Sequence, residues 1–114
     1  MQFLMLLCDV ETEQLGPGDP GFEEQMAAYA EFGKQARERG ILRGGGRLRP
    51  PSRSVTVRVR DGKTATTDGP FAETKEQVGG FYILECSDIG EAVEWAAKIP
   101  TAKRGCVEVR PFFG

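Results

Sequence analysis

The chain contains no histidine. That removes the side chain whose unperturbed titration falls roughly between pH 5 and 8, and it leaves no cysteine with a histidine partner to activate it. Cysteine is scarce too: Cys8, Cys86 and Cys106 are odd in number and widely spaced, a pattern that suggests neither a disulfide framework nor a zinc site. Each sits in an apolar strand-like run, which predicts small core residues of a reduced, cytoplasmic protein. No apolar stretch approaches the about 18 residues of a membrane-spanning helix. Net charge is also small, -2 from 15 basic and 17 acidic residues, giving no electrostatic reason for a nucleic-acid or anionic-membrane partner. A carboxylate-only metal site needs several convergent acids, and spacing places only one, so no metal and no cofactor are expected.

What is present fits one domain over residues 1–114, long enough for a single core. Met1 to Cys8 has the apolarity of a signal-peptide core but lacks a positive flank and a small-residue cleavage site. Acids follow at Asp9, Glu11 and Glu13, so the run predicts a buried first strand. Asp19-Pro20 predicts a helix N-terminus, and Phe22, Met26, Tyr29, Gly33 and Ala36 recur at helical spacing up to Gly40. Residues 40 to 53 predict a short strand and then a glycine- and proline-rich connection, with Gly44-Gly45-Gly46 as a flexible turn. The triplet lacks the Lys-Ser/Thr ending of a phosphate loop. Arginines gather at positions 37, 39, 43, 47, 49 and 53, which reads as a solvated helix end and loop or as an anion-binding arm.

Val55, Val57 and Val59 alternate with polar residues, and Asp61-Gly62 supplies a two-residue hairpin turn. Counting across that turn pairs Val59 with Thr64, Val57 with Thr66 and Val55 with Asp68, placing Asp68 on the valine face. Gly80 to Cys86 is apolar on both sides and predicts a second central strand. Asp88 and Glu91 form a capping-box pattern before a helix whose Ile89, Ala92, Val93, Ala96 and Ile99 face inward until Pro100, and Cys106 to Arg110 predicts a last strand. Two amphipathic helices and about four main strands give an α+β two-layer sandwich, helices on one face of an antiparallel sheet. The other sheet face, apolar and uncovered, predicts a homodimer.

Residues 67–80, Thr-Asp-Gly-Pro-Phe-Ala-Glu-Thr-Lys-Glu-Gln-Val-Gly-Gly, are dense in ionisable groups and poor in core builders. Such a segment inside a compact domain points to function, and its abrupt turns predict positive φ at Gly69 or at Gly79-Gly80. Asp68 is the candidate functional carboxylate, predicted to face a cavity with Tyr82 or Arg110; the same Asp-Gly-Pro pattern also occurs in ordinary turns. Lys75 is open to two readings, a loop solubiliser or a holder of an anionic oxygen. Tyr82 reads as core or as cavity lining, and Arg110 as cavity lining or as a partner of Glu108.

Asp68-Gly69-Pro70-Phe71 with Glu73-Thr74-Lys75-Glu76, Gly79-Gly80-Phe81-Tyr82, Glu91 to Ala96 and Val107 to Pro111 together resemble the YCII-related family, in its Asp-Gly-Pro-Phe branch, over essentially the full length. The resemblance implies a ferredoxin-like fold of the dimeric α+β barrel superfamily, two sheets facing each other across a cavity. It also implies an active site built on a histidine and an aspartate, of which Asp68 matches the aspartate while the histidine is absent here. Members of this branch commonly lie beside alternative sigma factors. Two functions follow: a small-molecule enzyme in which Asp68 handles a proton while Arg110 or Lys75 holds an anionic oxygen, or a non-catalytic ligand-sensing or regulatory module linked to a sigma-factor system.

Overall fold

The computed structural model of the chain describes residues 1–10 and 15–114; Glu11 and Glu13, read above as part of the acidic run, lie outside them. The described elements are strands β1 (Gln2–Val10), β2 (Leu42–Arg47), β3 (Val55–Arg60), β4 (Lys63–Asp68), β5 (Glu76–Glu85) and β6 (Cys106–Pro111), with helices α1 (Phe22–Glu38) and α2 (Ile89–Ala96). β2, β5, β1 and β6 form one antiparallel sheet in that order, the ferredoxin-like arrangement, while among the described strands β3 and β4 pair only with each other.

The pleat assigns β1 its two faces. Phe3, Met5, Leu7 and Asp9 are buried beneath the helices, and the alternate residues Leu4, Leu6, Cys8 and Val10 are half-buried on the opposite side. The core joins Phe3, Met5 and Leu7 to Leu84 and Cys86 of β5, Phe32 and Ala36 of α1, and Ala92, Trp95, Ala96 and Ile99 of α2 and its exit. Both helices therefore cover one face. The open face carries Leu4, Leu6, Phe81 and Ile83 in cross-strand register, with Arg110 opposite Leu4 and Glu108 opposite Leu6.

Several expectations change. Asp19 does not cap α1; its carboxylate accepts from the Gly16 amide at 2.7 Å, and the helix starts two residues after Pro20 with Gly21 at its N-cap. Gly40 does end the helix as expected, in a Schellman turn with Ile41 N–H on the Ala36 carbonyl and Gly40 N–H on that of Arg37. Gly44-Gly45-Gly46 is not a turn but the middle of edge strand β2. A Cβ on Gly45 would lie 2.8 Å from both the Phe81 carbonyl and the Tyr82 ring, so the strand can approach β5 only without one. β5 begins at Glu76, earlier than expected, because Gly79 forms a bulge opposite Leu7/Cys8 and the strand continues through it. In α2, Asp88 accepts from the Glu91 amide at 2.8 Å as expected, but Ile89 and Val93 are about half exposed, and Trp95 takes the inward place. Of the cysteines only Cys86 is core; Cys8 and Cys106 face each other across β1 and β6 on the open sheet face.

The hairpin register is the one read from spacing, Val55 with Asp68, Val57 with Thr66 and Val59 with Thr64. Gly69 has φ 98°, whereas Gly79 and Gly80 lie in extended strand. No described helix is long and apolar enough to cross a membrane.

Candidate functional site

The stripe predicted on α1 divides along the helix. Its second half, Phe32, Gly33 and Ala36, packs into the core; its first half is lifted off the sheet, and Met26 and Tyr29 roof a cavity of about 400 Å³. That volume lies in the range of about 300–1,000 Å³ typical of small-molecule sites. Leu7 and Leu42 contribute apolar wall, the glycines of β2 leave the side open, and Asp9, Tyr82, Arg37, Arg47, Thr101 and Arg104 supply the polar groups.

Asp9 continues the inward series Phe3, Met5, Leu7 and is only 3% exposed. A buried carboxylate is costly unless paired, and this one is: Arg104 Nε donates to Oδ2, and the Val10 amide donates to Oδ1 at 2.8 Å. Arg104 also donates to the Tyr29 hydroxyl at 2.9 Å, and that hydroxyl is hydrogen-bonded to Thr101 Oγ1. The network thus runs from β1 through the turn after α2 to α1. Burial pulls the Arg104 guanidinium down, but its hydrogen bonds to Asp9 and Tyr29 prevail and hold it above its ordinary value. It stays charged at any working pH.

Two further features set the electrostatics. Burial pushes the Tyr82 phenol up, helped by nearby Tyr29 and opposed by Arg37, so Tyr82 presents a neutral O–H near neutral pH. Arg47 donates to the Leu15 carbonyl at 3.1 Å and stands over the Phe22 ring at 5.8 Å, fixing a second guanidinium at the rim. Among the described residues the cavity is lined by three arginines and one aspartate, although the chain as a whole is acidic.

Gly105 makes the network possible. A Cβ there would sit 2.1 Å from the Cys8 carbonyl oxygen and 3.1 Å from Asp9 Cα, so only glycine lets the turn carrying Arg104 close onto β1.

The residues singled out from sequence are dispersed. Tyr82 lines the cavity. Arg110 lies on the opposite sheet face, ion-paired to Glu108, because residues opposite Met5 and Leu4 point to opposite sides of the pleat. Asp68 and Lys75 are exposed, one at the end of β4 and the other in the following connection, and within one chain neither reaches the cavity. The shared cavity expected for Asp68 with Tyr82 or Arg110 is thus not formed by a single chain: the valine face that carries Asp68 is itself exposed, with Val55, Val57 and Val59 between 57% and 59% accessible. Local sequence does not mark Asp9, Arg104 and Tyr29 as site residues. For Asp9 the signal was its parity with Phe3, Met5 and Leu7; for Arg37 and Arg47 it was the arginine cluster.

A ferredoxin-like layer with a polar pocket under its first helix defines a class of small α+β proteins, and comparison with known proteins narrows it. The YCII-related domain model matches residues 1–113, and the chain belongs to that family. An uncharacterized protein of Rhizobium meliloti (strain 1021) is 45% identical over 67 residues, 57% of this chain and 54% of that protein; the chain thus spans about half the length of the curated relative it matches. Among solved structures, the fold is similar to 5-chloro-2-hydroxyhydroquinone dehydrochlorinase from Burkholderia phenoliruptrix AC1100, in complex with 2,5-dihydroxybenzoquinone, with TM-score 0.52, 18% identity, and coverage of 99% of this chain and 94% of that one.

Proposed function

We propose that the protein binds a small, planar, oxygen-rich anion in the cavity beneath α1 and transfers a proton on it. The observation that carries this reading is the buried Asp9–Arg104 pair opening on a pocket that also holds Arg37 and Arg47. Guanidinium forks recognise anionic oxygens in the plane of the group, and the rings of Tyr29 and Tyr82 favour a flat partner. Charge developing on a ring oxygen would be stabilised by fixed arginines in a partly dehydrated site. Asp9 is the carboxylate placed to accept the proton, and the neutral Tyr82 hydroxyl is a donor. A protein of similar fold whose structure holds 2,5-dihydroxybenzoquinone supports the same ligand class.

The reading includes a homodimer formed through the open sheet face, where Leu4, Leu6, Phe81 and Ile83 lack a covering layer among the described residues. Asp68 and Lys75 act in this scheme only if a second subunit covers them. The Asp68-Gly69-Pro70-Phe71 run supports placement in the Asp-Gly-Pro-Phe branch, and three free thiols suit a cytoplasmic location. Neither the fold nor the relatives support the sigma-factor association.

Calorimetric titration with 2,5-dihydroxybenzoquinone tests the cavity. Wild type is expected to bind, and Arg37→Gln, which breaks no ion pair among the described residues, to bind about tenfold or more weakly, a change of about 1.4 kcal/mol, with unchanged melting. Asp9→Asn is expected to abolish binding. Equal affinity in wild type and Arg37→Gln refutes the assignment.

A further inference from the structure

Among the described residues nothing covers the β3–β4 hairpin. None of residues 55–68 is buried, and only Thr56 is as much as half-buried. The hairpin closes on itself at its base, where the Gly69 amide donates to the Ser54 carbonyl at 2.7 Å and Thr56 Oγ1 donates to the Gly69 carbonyl at 2.8 Å. It projects far enough to enlarge the molecule: the radius of gyration is 16.0 Å, against about 13 Å for a compact chain of this length. An isolated two-stranded hairpin is marginal in water and needs a third strand or a packed face. Its two faces differ in kind. One carries Val55, Val57 and Val59, each more than half exposed, with Asp68 at its base; the other carries Arg58 and Arg60.

We infer that this arm docks by its valine face onto a second copy of the chain, extending the contact made by the open sheet face. The inference rests on the homodimer reading above. Area favours this occupant. Six residues per strand at about 3.4 Å each give an arm face of roughly 20 by 10 Å, or about 200 Å². Four strands about 4.8 Å apart give an open sheet face on the order of 500 Å². A stable interface needs about 800 Å² on each partner. Neither surface approaches that alone; together they do, and this favours a second copy as the occupant of both. Docking would carry Asp68 out of solvent together with the valines whose face it shares, giving that carboxylate the enclosure it lacks in the single chain.

Sedimentation equilibrium on the full-length protein tests this with two substitutions on opposite arm faces. Val57→Glu is expected to weaken self-association by about tenfold or more, and Arg58→Glu to leave it within about threefold. Amide hydrogen exchange of the unsubstituted protein supplies a reading that needs no variant: protection across residues 55–59 and 64–68 should rise with protein concentration as dimer forms. If the dimer forms and arm protection does not change, or Val57→Glu associates like wild type, the arm has some other occupant and the inference is overturned while the sheet-face dimer stands. A wild type that remains monomeric at high micromolar concentration overturns both.

Discussion

Gly105→Ala should damage stability and ligand binding together, for a reason that can be worked from distances. The new methyl would begin 2.1 Å from the Cys8 carbonyl oxygen, and the obstacle is backbone of a central strand, not a side chain that can swing away. Relief needs a displacement of about 1 Å between β1 and the turn after α2. Inserting a single carbon into such a contact costs about 1–3 kcal/mol; with backbone on both sides the upper half applies, about 2–3 kcal/mol, or about 10 °C of melting temperature for a domain of this size. The same shift draws Arg104 away from Asp9, and an error of about 1 Å in a positioned group costs on the order of 100-fold in function. Urea denaturation at fixed protein concentration reads the first effect and titration with 2,5-dihydroxybenzoquinone the second. Gly62→Ala is the control: φ is 73° and nothing lies within 4 Å, so only the left-handed backbone penalty of about 1–2 kcal/mol applies, and binding should persist. A Gly105→Ala protein that melts within about 3 °C of wild type, or binds equally well, refutes the close-approach reasoning.

Asp68→Asn should leave the melting temperature within the range of ordinary surface changes, about 0.5 kcal/mol, and should lower binding or turnover only where a second subunit covers Asp68; a loss of about 1–3 kcal/mol with unchanged binding would mark Asp68 as structural, and differential scanning calorimetry with and without probe separates the two. Burial first, then the neighbouring Cys106, Glu108 and Glu76, raises the Cys8 thiol from 9.0 to about 11. Cys8 should therefore alkylate with iodoacetamide at mildly alkaline pH much more slowly than a free thiol, as followed by mass spectrometry, and equal rates would contradict the shift. The folded state holds that proton more tightly than the unfolded state, so this group's stabilisation is complete below about pH 9 and is lost as pH rises through about 11. Chemical denaturation across that window should show stability falling with pH, and a rise would reverse the assignment.

Sequence spacing carried the parts of the fold whose signals are local. The hairpin register follows from Asp61-Gly62 and alternate valines, and the Asp88 cap from its distance to Glu91. β1 and β5 announced themselves as central because both of their faces are apolar. Only the start of β2 was legible, as the short strand expected after Gly40; its continuation was hidden because a strand whose middle is three glycines has no side-chain period to read, and its pairing is fixed instead by how closely its backbone can lie against β5. The candidate site was harder for the same kind of reason. Asp9 and Arg104 are 95 residues apart, and nothing local to either marks the other. Asp9 did carry a clue, since it extends the odd-numbered buried series of β1, but a charged residue there looks like the end of a strand until its partner is known. The exposed loop after Asp68 drew attention by charge density, which marks solvent as readily as chemistry.

The 2.7 Å bond between the Ser54 carbonyl and the Gly69 amide means that the chain leaves and re-enters the body of the domain at one point. Whatever lies between those two residues is topologically a cassette: its length and sequence can change without moving β2 or β5, since the path from Ser54 to Gly69 is already closed. A short turn could replace the arm, and a longer hairpin or a whole foreign domain could be grafted there, with loop-closure cost growing only slowly with the length inserted. A scaffold with its ligand pocket at one place and an insertion point at another could exchange the arm, and with it the partner contact inferred above, without rebuilding the pocket.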